Sequence, residues 1–378
     1  EVSVMSTFTV KKNIDRATQF AGDNFGKAMQ NKTKLSFTTY NDQTLVYCNQ
    51  PEAVLAKHFV GSSAATTNYY VNRSSVKKGD CLVYASYDLL GCPNGYFAIR
   101  IYNPNSTSVT VKKVNEGFSH SGSWDLAINA WKQFSNGVSE SAKSIAAKSS
   151  IWITTKSVTP SSNRLLEYLM KFTTTGDVYV AVYFCTSISK IPADGGTYIP
   201  RNGEESYSGT ARKFYISTSK TLYAADAMAS YYNSYFFGLT PYNGKVTNTN
   251  EHNPITLVQG GTASETALNK SDRNLGNWGL QYAMNFTLKN NYSKPVKFKG
   301  YIISNPISHC AGIRSGNSVD GVFLEPNESN ENPDNNRWQF FESTTLPANT
   351  GSVTIDFQYM HLSKGNAPCL MQFEVVPA

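Results

Sequence analysis

Apolar and polar residues alternate with a period of two along most of this chain, the pattern of strands with one face buried. Met5-Ser6-Thr7-Phe8-Thr9-Val10 alternates, as does Lys34-Leu35-Ser36-Phe37-Thr38, and Thr44-Leu45-Val46-Tyr47-Cys48 is an apolar run ended by Asn49-Gln50-Pro51. Tyr96–Tyr102 leads into Asn103-Pro104-Asn105-Ser106 and resumes as Ser108–Lys112, which predicts a hairpin. Gly176-Asp177 opens the continuous apolar run Val178–Phe184, a buried strand. The second half repeats the grammar. Leu280–Leu288 turns through Lys289-Asn290-Asn291-Tyr292-Ser293 and returns as Pro295–Tyr301. Val353–Phe357 follows the turn Pro347–Ser352, and Cys369–Val376 closes the chain as a strand. Only Trp131, Phe134, Val138, Ala142 and Ile145 step at helical spacing, with Asp125 placed to cap the helix and Gly137 weakening it. A shorter helical turn is expected over Ala224–Tyr231.

These elements predict a mainly β fold: two antiparallel β-sandwich domains, jelly-roll or immunoglobulin-like, with one or two short helices. The length of 378 residues suits two domains. The cluster Pro192, Gly195, Gly196 and Pro200 places the boundary near 190. Residues 1–190 would form an N-terminal sandwich with a helical insertion near 125–147 and an extended N-terminal segment. Residues 191–378 would form the second sandwich, with 325–336 as a polar surface loop.

Charged residues make up only 16% of the chain, so the surface must draw its polarity from Ser, Thr, Asn and Gly. The net charge of +7 is spread thinly, in pairs such as Lys11-Lys12, Lys77-Lys78 and Lys112-Lys113. That is not the dense basic stripe of a nucleic-acid binder, and no nucleic-acid partner is expected. It leaves an anionic wall polymer or a polysaccharide as a candidate partner. No run of about 18 apolar residues is present, so no membrane-spanning helix is expected. The start Glu1-Val2-Ser3-Val4-Met5 reads as the product of signal cleavage and points to a secreted, extracellular or cell-surface protein. Six cysteines, Cys48, Cys81, Cys92, Cys185, Cys310 and Cys369, show no CxxC or zinc spacing and read as disulfides. With bridges closed inside each half, Cys310 pairs with Cys369. The other four allow three connectivities, of which Cys81–Cys92 with Cys48–Cys185 is preferred because a short turn-like segment joins the first two.

Leu45-Val46-Tyr47 … Asn49-Gln50-Pro51-Glu52, Ile101-Tyr102-Asn103-Pro104 … Val109-Thr110-Val111 and Thr175–Val180 recur in a recognisable style. Gly276-Asn277-Trp278-Gly279-Leu280-Gln281-Tyr282 is similar to a Gly-Asn-Tyr-Gly-Val-x-Tyr signature, and Pro347-Ala348 … Ala367-Pro368 … Val375-Val376-Pro377 closes in the same manner. On these motifs the chain resembles secreted β-rich regions associated with copper-amine-oxidase-like N-terminal repeats in Gram-positive bacteria. The resemblance implies an extracellular location and β architecture, not an activity. Oxidase chemistry itself needs a quinone-forming Tyr in an Asn-Tyr-Asp/Glu context and three copper-binding His. Asn68-Tyr69-Tyr70 and Asn291-Tyr292-Ser293 lack the acid, and His58, His120, His252, His309 and His361 are scattered. No HExxH, GxSxG or Walker loop occurs, and Asp272-Arg273-Asn274-Leu275-Gly276-Asn277 reads as an Asx turn sooner than a calcium loop. No catalytic residue, cofactor or metal is expected.

The function expected is therefore structural and non-enzymatic: a self-associating subunit of a cell-surface filament, sheath or surface layer. Residues 1–13 would serve as an assembly strand, with Val2, Val4, Phe8 and Val10 facing a neighbour's sheet. Pairing of this segment within its own domain is the competing expectation. The alternatives are a wall- or polysaccharide-binding module and a secreted hydrolase. For glycan contact Trp278 leads, ahead of Trp124 and the cluster Tyr231-Tyr232 … Tyr235-Phe236-Phe237.

Overall fold

A computed structural model of the chain describes residues 6–15, 23–49, 52–193, 196–198, 208–239, 255–256, 273–274, 278–304, 309–324, 337–363 and 369–378. It divides into two compact units. A terminal unit takes Glu1–Thr39, Tyr215–Pro254 and Leu275–Ala378, and a central unit takes Tyr40–Phe214 and Ile255–Asn274. The boundary expected near 190 thus falls inside the central unit, and the N-terminal segment goes with the C-terminal sandwich.

The terminal unit begins with β1 (Asn13–Ile14) and α1 (Asp23–Gln30). The central unit follows with β2 (Gln43–Cys48), β3 (Asn72–Val76), β4 (Gly79–Asp88), β5 (Gly95–Tyr102), β6 (Val109–Ser121), α2 (Leu126–Asn136), β7 (Lys143–Ile145), β8 (Ser150–Val158), β9 (Leu165–Thr174), β10 (Val178–Cys185) and β11 (Ser208–Ala211). The terminal unit resumes with β12 (Tyr215–Tyr223), α3 (Ala224–Met228), β13 (Ser234–Gly238), β14 (Gln281–Lys289), β15 (Val296–Ser304), β16 (His309–Ser315), β17 (Ser318–Leu324), β18 (Arg337–Glu342), β19 (Ser352–His361) and β20 (Cys369–Pro377).

In the central unit a four-stranded sheet, β8-β5-β10-β3, faces a six-stranded one, β11-β2-β4-β9-β6-β7. Phe97, Ile99, Val180, Val182 and Phe184 from the first meet Val46, Val83, Ala85, Tyr168 and Met170 from the second in one core. The terminal unit pairs β1-β18-β15-β20-β13 with β12-β14-β19-β16-β17, the latter edged by the short strand Thr38–Thr39. Its sheets meet through rings: Phe286 lies 5.3 Å from Phe373, and Phe340 lies 5.3 Å from Phe357. The sheets are mixed, since β2 runs parallel to β4 and β12 parallel to β14.

The two segments expected as hairpins are arches. β5 and β6 lie in opposite sheets, and so do β14 and β15. At each arch a buried asparagine holds the turn. Asn103 Nδ2 donates to the carbonyls of Thr107 (2.8 Å), Ile145 (3.0 Å) and Ala146 (3.1 Å), while its Oδ1 accepts the Asn105 N–H (2.9 Å). Asn290 Nδ2 donates to Lys294 (3.0 Å), Leu346 (3.0 Å) and Pro347 (2.9 Å), and its Oδ1 accepts the Tyr292 N–H (3.0 Å). The backbone repeats as well: Asn103 N–H reaches Ser149 O, and Asn290 N–H reaches Gly351 O. Val109 opposes Ile145 as Val296 opposes Leu346. Tyr102 opposes Ser150 as Lys289 opposes Ser352. β6 pairs with β9 as β15 pairs with β20. The two units are therefore two copies of one plan. They differ in the excursion after the second strand, which carries α2 in the central unit and the hairpin β16–β17 in the terminal one.

Helix α2 starts after Asp125, whose side chain makes no capping bond, and ends at Gly137 (φ 71°). Ile145, expected on the helix, lies in β7. Gly117 lets α2 press onto β6: a Cβ there would lie 1.9 Å from Ala130 O. The turn expected over Ala224–Tyr231 is α3 followed by a 3₁₀ turn at Tyr231–Asn233. Helix α1 was not anticipated; Phe25, Ala28 and Met29 form its buried face.

The expected disulfides are absent: all six cysteines are buried thiols. Cys81 sits near the start of the ten-residue β4 and Cys92 beyond its end, so an extended strand separates them by roughly 20 Å or more, far past bridging distance. Cys48 faces the inter-sheet core, whereas Cys185 sits with Ala181 and Tyr183 on the opposite face of β10. Cys369 Sγ lies 3.8 Å from His361 Nδ1 and is not joined to Cys310.

Two predictions follow from these packing facts. Asn103→Ala or Asn290→Ala removes three hydrogen bonds to carbonyls and the one that holds the following turn, and should destabilise its unit by roughly 3 kcal/mol, a fall in Tm of about 6–12 °C; an unchanged melt would remove the asparagines from the architecture. Intact mass after denaturation without reductant should correspond to six thiols, and a mass about 2 Da lower per bridge would restore the disulfides.

Candidate functional site: the seat of the N-terminal segment

The alternation Phe8-Thr9-Val10 puts one side of the N-terminal segment against the terminal unit and the other in solvent. Ser6 makes a parallel bridge to Ile355 on β19, with its N–H donating to Thr354 O (3.3 Å). Phe8 N–H donates to Ser315 Oγ (3.0 Å), and Val10 N–H to Ser318 Oγ (2.9 Å). The Phe8 ring lies 4.8 Å from Phe341, 5.8 Å from Phe357 and 6.2 Å from Phe340. Val10 is buried. Lys11 N–H donates to Phe340 O (2.8 Å), and Trp338 Nε1 donates to Lys11 O (2.9 Å). β1 then pairs antiparallel with β18, Asn13 opposite Gln339 and Ile14 opposite Trp338. In ten residues the segment crosses from β19 in one sheet to the β18 edge of the other.

Arg337 anchors its far end. The guanidinium is almost wholly buried and bonds to Asp15, to Glu374 (2.8 Å) and to Gln372 Oε1 (3.0 and 2.7 Å), with Cζ 3.6 Å from the Tyr301 ring centre. A buried charge so enclosed holds its partners firmly, because removing one leaves the others uncompensated. The bond from Lys11 to Glu342 (2.5 Å) holds the Glu342 carboxyl below its ordinary range, but the pair is half-exposed and adds under about 1 kcal/mol. Arg337 carries no sequence signal beyond the Trp338-Gln339-Phe340 alternation after it.

Of the expected assembly residues, Phe8 and Val10 lie in this seat within their own chain, and Val2 and Val4 lie outside the described residues. Trp278 is half-buried, its ring 5.8 Å from that of His361. Trp124 is more exposed, with Arg164 5.8 Å from its ring centre. Of the considered calcium loop, only Arg273–Asn274 is described, paired with Ile255–Thr256. Among the described residues no group of three or more His, Cys, Asp or Glu is placed to hold a metal, and no helix is long and apolar enough to cross a membrane. A shallow hollow of about 270 Å³ is lined by Ser62, Thr66, Thr67, Asn68 and Lys190.

No family model matches the chain, and no curated protein does. Among solved structures, a Paenibacillus xanthan lyase aligns at 12% identity and a TM-score of 0.15, covering 80% of this chain and 23% of that one. Infectious bursal disease virus Gx strain aligns at 12% identity and a TM-score of 0.12, covering 79% and 73%. The chain spans under a quarter of the lyase's length, and at these TM-scores neither likeness bears on this protein.

Two histidines of the central unit are held neutral. His58 is buried, accepts the Leu55 N–H at Nδ1 (3.2 Å) and has no partner at Nε2; burial, then the neighbouring Lys57 charge, lowers its pKa to about 4. His120 donates from Nδ1 to Leu165 O and accepts the Thr159 N–H at Nε2, and burial lowers its pKa too. An unfolded histidine titrates near pH 6.5, so below that pH the unfolded chain takes protons the folded chain refuses. Stability should therefore fall as pH drops from about 6.5 to about 4, by roughly 2–3 kcal/mol from His58 alone. His58→Asn, which keeps an acceptor for Leu55, should flatten the slope of Tm against pH; an equally steep slope would clear His58.

Proposed function

We propose that this protein is a non-enzymatic structural subunit of an extracellular filament, sheath or surface layer, and that its copies join by exchanging residues 6–15. One observation carries the reading. The segment is held by a self-contained set of contacts: the Phe8 plug, the edge pairing of β1 with β18 and the Asp15–Arg337 bond. Each contact survives if the segment comes from a neighbour, so exchange sacrifices no native interaction, which is why swapping is a low-cost route to assembly. Because donor and seat lie on one chain, each copy both gives and receives, and a head-to-tail chain of copies results if the geometry does not close. The extracellular part of the proposal does not need disulfides. The reactive form of cysteine is the thiolate, and burial pushes Cys48 upward and Cys92 and Cys185 to about 12. Such thiols resist oxidation even in an oxidising compartment.

Negative-stain electron microscopy of the concentrated full chain should show ordered filaments or sheets. A synthetic peptide of residues 1–15 in excess should cap the growing ends and shorten them. Monomers at high concentration, or assemblies indifferent to the peptide, would end the proposal.

A further inference from the structure

We infer that the turn Tyr231–Asn233 is a carbohydrate-binding site for a neutral hexopyranose chain, with Tyr232 as the stacking platform. Tyr232 (φ 55°, ψ 30°) and Asn233 (φ 47°) are consecutive non-glycine residues in the left-handed region. Such strain persists where surrounding contacts over-determine the backbone, and it concentrates at ligand sites. Here the surroundings do over-determine it. Ser234 Oγ donates to Tyr232 O (2.6 Å), Gln372 Nε2 donates to Ser234 Oγ (2.8 Å), and Gln372 Oε1 accepts both bonds from the buried Arg337.

The result of that strain is an aromatic ring held outward. Tyr232 is 37% exposed, among the most exposed large side chains described. Arg337 Cζ lies 5.6 Å from its ring centre, so the guanidinium sits between Tyr232 and Tyr301. A core role would bury the ring, and a plain turn would use glycine at these angles. A rigid, half-exposed ring beside polar groups suits the apolar face of a sugar. Asp15 and Glu374, each about a fifth exposed, supply acceptors for sugar hydroxyls at the rim, and Tyr231 Oη reaches Asn24 Oδ1 (3.5 Å) beside it.

Charge selects the sugar class. Two carboxylates face one guanidinium, so the site is net negative and disfavours an anionic wall polymer. Asp15 belongs to the N-terminal segment, so an exchanged neighbour would supply the same carboxylate. The inference therefore does not depend on the assembly proposal.

Affinity electrophoresis of the full chain in gels containing hydroxyethylcellulose, galactomannan or dextran tests it, with polygalacturonate as the anionic counterpart. At least one neutral polymer should retard the wild type and polygalacturonate should not. Tyr232→Ala should weaken retardation tenfold or more, Tyr232→Phe should preserve it, and Trp124→Ala should leave it unchanged. Circular dichroism and Tm of each variant separate loss of the ring from loss of the fold. No retardation by any neutral polymer, retardation by polygalacturonate alone, or undiminished retardation in folded Tyr232→Ala would overturn the inference.

Discussion

A single buried carboxamide, used once in each unit, governs how this chain folds back on itself. A strand that leaves one sheet for the facing one exposes carbonyls at the crossing, and in a sandwich those carbonyls point into a core that offers no water. Asn103 and Asn290 each donate from one nitrogen to three carbonyls gathered there and fix the following turn with one oxygen. The carbonyls come from two separate stretches of chain, so the asparagine ties the arch to the strand that arrives more than 40 residues later. Register then follows. Once Val109 opposes Ile145, and Val296 opposes Leu346, the apolar faces of the strands on both sides are committed to the core.

The units part company where the shared plan leaves freedom. In the central unit, β8 carries the equivalent of β19, and the flank it shares with β6 is closed by charge: Glu116 takes bonds from Tyr168, Thr154, Lys113 and Lys156. Those donors hold the Glu116 carboxyl below its ordinary range in spite of its burial. In the terminal unit the same flank is closed by the N-terminal segment, through Phe8 at one end and Asp15 at the other. A covalent neighbour of the strand therefore does in one unit what an ion network does in the other. Of the two closures, only the segment is of a kind that copies could trade, so the proposed exchange falls to the terminal unit.

Much of this was legible in the sequence. The apolar patterning located β5, β6, β10, β14, β15, β19 and β20, with β10 as a continuous apolar run, and the likeness of 96–113 to 280–301 marked the repeat. What periodicity could not show was whether two strands across an Asn-rich turn bond to each other or cross between sheets, since both demand the same alternation. The asparagine's role appears only with the distant carbonyls it meets. Cysteine count misled for a related reason: it reports how many thiols exist, but their separation along β4 and the face of β10 they occupy decide whether they can pair. The helix over 125–147 was half right, because Ile145 continues the helical spacing while β6 captures it as a strand. Tyr232 stood among the candidate aromatics, but its strained backbone and the guanidinium beneath it belong to the folded chain alone.

The central claim is that residues 6–15 occupy the same seat on a neighbour as on their own chain, and chain-specific cross-linking addresses it most directly. Thr7 lies against Gly316, with its Cβ 3.1 Å from where a Cβ on Gly316 would sit, close to disulfide range. Gly316 has φ 57°, so a cysteine there adds about 1 kcal/mol of strain, which a folded unit of this size tolerates. One chain carrying Thr7→Cys and another carrying Gly316→Cys would be refolded together at high concentration and oxidised. The account predicts a covalent dimer joined at these two positions, identified by peptide mass. Failure of the mixed chains to cross-link, while a single chain bearing both cysteines closes internally, would contradict it.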